Sequence, residues 1–323
     1  MKISIALASY NGEKYILEQL ESFANQSRIP DELIVSDDCS SDDTIKLIEQ
    51  FSRNAPFEVK IFQNKTNLGY SQNFNNALLK TSGDLVFLSD QDDVWFNNKI
   101  ECITKIAYSS KSLLIMNDAE ITDAHLNPTG ITKLSQIKDF ERDESKFVMG
   151  CCAAIKRELL DFALPVDKDF PAHDTWLAWH AEFMNLKKII PEVMQYYRRH
   201  GENESKYIGN SIYKSPKKNI FILKIKNSVF HKENYILNAE LSFKIFSSHL
   251  KNIISSNKQN KLKKELLLAY KLSCTELKSI QKRIKIRKLN FRSRFFLASK
   301  FYFEGGYKKF SGFKSLLRDI IFR

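Results

Sequence analysis

Within four residues, Asp90-Gln91-Asp92-Asp93, the chain presents three carboxylates directly after the apolar run Leu85-Val86-Phe87-Leu88. Carboxylates this close repel one another, which costs stability unless a cation lies among them. Hard cations such as magnesium and manganese take oxygen ligands and commonly share them with substrate phosphates. The chemistry indicated is divalent-cation handling of a phosphorylated ligand. A plainer reading of the same residues is an acidic turn, with Asp93 capping a helix that starts at Val94-Trp95-Phe96. Further carboxylates stand at Asp37-Asp38 and at Asp174, and Arg198-Arg199-His200 close a strand-like segment that begins at Gln195.

For such groups to act together, one sheet edge must collect them. Leu85–Leu88 has the length and composition of a strand buried on both faces. Residues leaving such a strand stand at the carboxyl end of a sheet, where open α/β folds bind ligands. Ahead of it, Ile3–Leu7 reads as a strand, and a helix from about Glu13 to Ala24 carries Tyr15, Ile16, Leu20 and Phe23 on one face. Leu33-Ile34-Val35 is a second strand, and Ser40 or Ser41 caps a helix bearing Ile45, Leu47, Ile48 and Phe51. Phe57–Phe62 alternates as a third strand, and Gly69-Tyr70 opens a helix that Gly83 ends. The β-α-β-α order predicts a parallel sheet with right-handed crossovers. Neither G-x-G-x-x-G nor G-x-x-x-x-G-K-[ST] occurs, which excludes a dinucleotide fingerprint and a P-loop. Residues 110–205 mix loops with strands at 113–116 and 147–155 and end in a helical stretch, His173–Trp179. From about Tyr207 the alternation disappears, and basic amphipathic helices are expected.

Charge divides the chain in the same place. Residues 1–200 hold 22 Lys and Arg against 30 Asp and Glu, whereas residues 201–323 hold 28 against 8. An acidic front half is a poor partner for nucleic acid, and the basic half offers no nucleic-acid recognition module. In the basic half, Gln281–Lys288 followed by Phe291–Phe296 sets cations beside aromatics, as in surfaces that dock on anionic lipid headgroups. A helical appendage with a solvated basic face is the alternative. Five cysteines, odd in number and without C-x-x-C spacing, read as reduced thiols of a cytoplasmic protein. The opening apolar stretch is too short for a signal peptide. No window approaches the roughly 18–20 apolar residues of a membrane span. The expectation is a cytoplasmic protein, free or peripheral on the inner face of the cell membrane.

Four segments in register resemble the inverting family 2 glycosyltransferases of the GT-A fold. Ser4–Asn11 is similar to the opening strand and its nucleotide-facing turn, and Ile34–Thr44 to the D-D-x-S-x-D-x-T segment. Asn67-Leu68-Gly69 is similar to the N-x-G turn, and Asp90-Gln91-Asp92 to the D-x-D metal motif. Ser89–Trp95, His173-Asp174-x-Trp176 and Tyr197–Gly201 resemble the bacterial rhamnosyltransferase-like branch. The resemblance covers about residues 1–205. It implies a GT-A domain there, a Rossmann-like mostly parallel sheet flanked by helices. Residues 1–110 would form the nucleotide-binding half and 111–205 the acceptor half, with 206–323 a basic helical extension.

The implied activity is metal-dependent inverting transfer of a sugar, rhamnose favoured and UDP-hexoses close behind, from a nucleoside-diphosphate donor to a glycan or lipid-linked glycan. Transfer needs a stabilised diphosphate, a base for the acceptor hydroxyl and a held nucleotide. Magnesium or manganese would act as the Lewis acid, on Asp92, with Asp90 assisting or orienting the donor ribose and His200 completing the shell. Ser9-Tyr10-Asn11 would give backbone contacts and a ring against the nucleobase, with Tyr10 as a core residue the alternative. Asp37 and Asp38 would accept from base and ribose, Asn67 of the N-x-G turn would contact the nucleotide donor, and Arg198 and Arg199 would meet the diphosphate. Asp174 would be the general base, with helix capping the plainer role.

Two positions depart from the family pattern. Phe74 stands where many members have an arginine, and His173-Asp174 stands where they have a Glu-Asp pair. The Q-x-x-R-W signature of processive members is absent, which favours single addition. Two other readings remain: a sugar-phosphate nucleotidyltransferase, and a non-catalytic binding protein on the same scaffold. The first would want a Gly-rich, basic loop where the chain has Ser9–Glu13, and the intact Asp90, Asp92 and Asp174 count against the second.

Overall fold

Strands β1 (Ile3–Ser9), β2 (Glu32–Asp37) and β4 (Leu85–Ser89) are buried along almost their whole length. Helices cover both faces of the sheet they form, which is why their sequences run apolar rather than alternating. Between them lie α1 (Ile16–Ala24), α2 (Thr44–Ser52), β3 (Glu58–Gln63) and α3 (Tyr70–Lys80). The computed structural model describes residues 1–139, 143–201, 234–256, 261–307, 310 and 312–321. Its chain divides into two units, Met1–Lys214 and Ser215–Arg323.

The first unit continues with β5 (Val94–Trp95), α4 (Lys99–Ser109), β6 (Leu114–Thr122), β7 (Pro128–Thr132), α5 (Lys133–Asp139), β8 (Ala153–Lys156), α6 (Arg157–Ala163), α7 (His173–Phe183) and β9 (Lys187–Arg198). The sheet order is β3-β2-β1-β4-β8-β6-β9-β5, with β7 on β6. The first four strands are parallel, as is β6 with β9, while β8 and β5 run antiparallel to their neighbours. From β1 the chain moves outward through β2 and β3, then returns to place β4 on the other side of β1. The order thus reverses between β1 and β4, the position where open sheets bind ligands. Register carries the carboxyl ends to one edge: Ser9 pairs with Asp37, and Leu7 with Ser89.

Three local expectations need correction. Val94-Trp95 is a strand, not the start of a helix, because both residues pair with Gln195-Tyr196 of β9. Trp95 then packs between Phe23 and Phe87, at 4.7 and 5.7 Å. The strand foreseen at 147–155 is confined to Ala153–Lys156, since Gly150–Cys152 form a turn of 3₁₀ helix. Neither Ser40 nor Ser41 caps α2: the Thr44 N–H donates to Asp42 Oδ1 at 3.0 Å, and the Ser40 hydroxyl is taken by Asp37.

In the second unit, α8 (Asn234–Ser255), α9 (Lys263–Arg287), α10 (Phe291–Phe303) and α11 (Phe313–Ile321) are helices. Asp319 is fully buried there and gathers Arg283, Arg287 and the Tyr307 hydroxyl, at 2.7, 2.7 and 2.9 Å.

Candidate active site

At the reversal point, the loops after β1 and β4 are clasped together. The Tyr10 N–H donates to Gln91 Oε1, and Gln91 Nε2 donates to the Tyr10 carbonyl, both at 2.9 Å. Gly12 is required by this clasp, because a Cβ there would lie 2.2 Å from Gln91 Oε1. The Tyr10 ring is 48% exposed, so it is not a core residue. Asn11 turns the chain at φ +46° and accepts from the Ser41 N–H at 2.9 Å, while its own N–H donates to Ser40 Oγ. The loops after β1, β2 and β4 therefore form one connected rim.

Asp37 and Asp38 hold that rim from inside. Asp37 is fully buried and accepts from Ser9 Oγ at 2.8 Å, Ser40 Oγ at 2.6 Å and the Ser40 N–H at 2.9 Å. Asp38 accepts from the N–H groups of Leu68 and Gly69, at 2.8 and 2.9 Å, and from Asn64 Nδ2. Both carboxylates are enclosed and shape the loops rather than standing at the surface. The exposed Asn67 side chain accepts from the Gly69 N–H at 3.1 Å, closing the N-x-G turn whose glycine sits at φ +80°.

The acidic cluster is pulled two ways. Asp93 is fully buried and accepts from Gln195 Nε2 at 2.8 Å and from the Arg198 N–H at 3.3 Å, so it anchors β9 and caps no helix. Burial, then the charges of Asp92 and Asp90, push its pKa well up. Asp92 meets His200 instead, with Nε2 2.8 Å from Oδ2. The β5–β9 pairing brings these two together from opposite ends of the domain. Between them, Asp90 is raised to about 7 by burial, by Asp92 and by the charge of Asp174.

Asp174 lies in the first turn of α7 but is not its cap; that position is Ala172, and the Asp174 carboxylate accepts from the Thr175 N–H. Beside it, His173 is buried, and Gly150 packs against both: a Cβ on Gly150 would lie 3.2 Å from His173 Nε2 and 3.5 Å from Asp174 Cβ.

The two arginines separate in role. Arg198 is buried and donates to the Asp92 carbonyl at 2.8 Å and the Ala124 carbonyl at 2.9 Å, contacts Glu18, and lies over the Tyr15 ring. Its guanidinium nitrogens are thus engaged by protein oxygens. Arg199 is only half-buried, leaning on Tyr197.

Several members of this network gave no motif in the sequence. Lys99 is fully buried, donates to the Cys151 carbonyl at 3.1 Å and to Gln195 Oε1, and lies 3.9 Å over the Trp95 ring. Burial lowers its pKa to about 8, against the pull of Cys152, Cys151, Asp93 and Asp90. Among the described residues, ligand atoms of Asp90, Asp93 and Cys151 all lie within 4.8 Å of one another.

Comparison with known proteins adds a family. Residues 4–162 match the model described as glycosyl transferase family 2. An uncharacterised glycosyltransferase of Nostoc sp. is 29% identical over 217 residues, covering 63% of this chain and 66% of that protein, just under two thirds of its length. The dTDP-rhamnosyl transferase RfbG of Shigella flexneri is 26% identical over 247 residues, covering 70% of this chain and 81% of that protein. Among solved structures, residues 1–349 of Staphylococcus aureus TarS in complex with UDP-GlcNAc align with a TM-score of 0.54 at 20% identity, covering 99% of this chain and 89% of that one. The shared fold is that of GT-A glycosyltransferases.

Proposed function

We propose that the chain, whose residues 4–162 match the family 2 glycosyltransferases, takes sugars from nucleotide donors as an inverting, metal-dependent enzyme acting in cell-surface polysaccharide synthesis. The favoured donor is dTDP-rhamnose, with UDP-hexoses next, and the acceptor is a glycan or lipid-linked glycan at the cytoplasmic membrane face. The rhamnose preference draws on the similarity to a dTDP-rhamnosyl transferase. One observation carries the reading: Gly150 packs against Asp174, and the thiol of its neighbour Cys151 lies within 4.8 Å of the Asp90 and Asp93 carboxylate oxygens, which supports base and acidic cluster sharing one site.

The donor set fits a divalent cation. Asp92 Oδ2 and His200 Nε2 lie 2.8 Å apart, near the about 3 Å that separates adjacent ligand atoms of a cation holding them at about 2.1 Å. Asp92 and His200, with Asp90 assisting, would hold magnesium or manganese. When bound, the cation neutralises charge on the departing diphosphate.

The chain's own groups do the rest. The exposed Tyr10 ring offers a face for the nucleobase, and the Gln91 clasp keeps that turn against the acidic loop. Half-buried Arg199 is the cation assigned to the diphosphate, with Arg198 held by the Asp92 and Ala124 carbonyls and by Glu18. Asp174 takes the proton from the attacking hydroxyl as the new bond forms on the face opposite the leaving group. Incubation with dTDP-rhamnose or UDP-hexoses and manganese, followed by NMR of the product anomer, tests this reading. Inverted configuration supports it, and retention contradicts it.

A further inference from the structure

We propose that the exposed aromatic face of α10 and α11 is a docking surface for an anionic lipid bilayer. It names the surface by which a membrane-face transferase would hold its membrane, and it rests on that reading.

Helix α10 turns Arg294, Ala298 and Phe301 inward and leaves Phe291, Phe295, Phe296 and Phe303 exposed, Phe296 by 68% and Phe303 by 85%. Four exposed phenylalanines on thirteen residues form an apolar patch of the kind that marks an interaction site. On α11, Ser315, Leu316, Asp319 and Ile320 are buried, while Phe313, Leu317 and Ile321, spaced four apart, form an exposed stripe. The two stripes adjoin through Tyr302, whose ring lies 5.7 Å from Phe303 and 6.2 Å from Phe313.

Charge identifies the occupant. Exposed Arg292 and Lys300 on α10 and Lys314 on α11 stand among these rings. The acidic residues of the two elements are engaged elsewhere: Asp319 is buried against Arg283 and Arg287, and Glu304 receives Lys282 at 3.0 Å. Residues 201–323 hold 28 Lys and Arg against 8 Asp and Glu. Aromatics flanked by cations suit the boundary between headgroups and acyl chains, where rings insert and cations meet lipid phosphates. Among the described residues no helix is long and apolar enough to cross a membrane, so the contact lies in the plane of the interface.

In the basic run Gln281–Lys288, Arg283 and Arg287 are held by buried Asp319 and Lys282 pairs with Glu304, while Lys282, Lys285 and Lys288 stay exposed; the exposed phenylalanines lie further along the chain.

The test is co-sedimentation of the full chain with phosphatidylcholine vesicles, with and without phosphatidylglycerol. Alongside the unmodified chain run two double variants, Phe295→Ser with Phe296→Ser, and Arg292→Glu with Lys300→Glu. Circular dichroism checks that each remains helical, and nucleotide release from a soluble donor is followed in parallel. The expected result is binding that requires phosphatidylglycerol, falls about tenfold or more in each variant, and leaves solution turnover unchanged. Absence of vesicle binding by the unmodified chain overturns the proposal. Equal binding by the variants also overturns it, as does a loss of self-association in the variants without loss of vesicle binding, which would make the face a contact between copies. Vesicle binding without turnover on any donor would uphold the docking face while removing the transferase reading.

Discussion

The imidazole of His173 is stacked on the ring of Phe74, with centroids 4.1 Å apart and planes 20° from parallel. These are the two positions at which the chain departs from the family pattern, and they are in contact. Tyr70 meets the same imidazole edge-on at 6.0 Å, and its hydroxyl donates to the Pro171 carbonyl. The N-terminus of α3 thereby positions the turn that carries Asp174.

Contact makes the two departures interdependent. Phe74→Arg and His173→Glu should each lower turnover about tenfold, and the double variant should recover most of the loss, a coupling of about 2–3 kcal/mol. Steady-state kinetics on the four proteins reads this directly. Losses that simply multiply would show that the positions act independently.

His173 also sets an acid limit on stability. Burial lowers its pKa from 6.5 to about 4, and neither ring nitrogen has a hydrogen-bond partner. Below pH 6.5 the unfolded chain takes up a proton that the folded chain refuses, so stability should fall as pH drops from 6.5 towards 4. Glu32 adds a lower window. Burial raises its pKa, but hydrogen bonds from Ser4 and Ser82 and the charge of Lys2 outweigh that and hold it at about 2, against 4.5 unfolded. Its contribution is complete above 4.5 and is lost as pH falls towards 2. Urea titrations from pH 7 to 3 should show both windows, and His173→Phe should flatten only the upper one.

Replacing Asp174 by Asn keeps the shape of the first turn of α7 and removes the carboxylate proposed as the base. Turnover should fall by about 10²–10⁴, while donor binding measured by calorimetry stays within about twofold of the parent. Unchanged turnover would place the base elsewhere.

In the second unit, Asp319→Ala would leave Arg283 and Arg287 buried without their counter-charge. Breaking such a group from one side costs about 3–5 kcal/mol, and the melting transition of the helical unit should drop accordingly. A change within about 0.5 kcal/mol would mean that water replaces the carboxylate.

Much of this was legible in the chain. Strands β1 to β4 announce themselves as short apolar runs, and the turns after them carry the Ser, Asn, Asp and Gly that such loops need. The acidic cluster at the end of β4 follows from the same pattern. What the pattern omitted depends on long-range pairing. Two residues, Val94 and Trp95, are too few to show strand periodicity, yet their pairing with β9 brings His200 to Asp92. Lys99 and Cys151 belong to no motif, and only the fold encloses them with the acidic cluster. The burial of Arg198 is not visible in sequence, because its partner Glu18 is 180 residues away. In Gln281–Lys288 sequence likewise does not separate Arg283, buried against Asp319, from the exposed Lys282, Lys285 and Lys288.

The most direct measurement is calorimetric titration of dTDP-rhamnose and a panel of UDP-hexoses into the chain, with manganese, with magnesium and with chelator, repeated on Asp92→Ala. The account predicts binding of one nucleoside-diphosphate sugar that needs the cation and is lost in the variant. Donor binding that is indifferent to both the cation and Asp92 would contradict it.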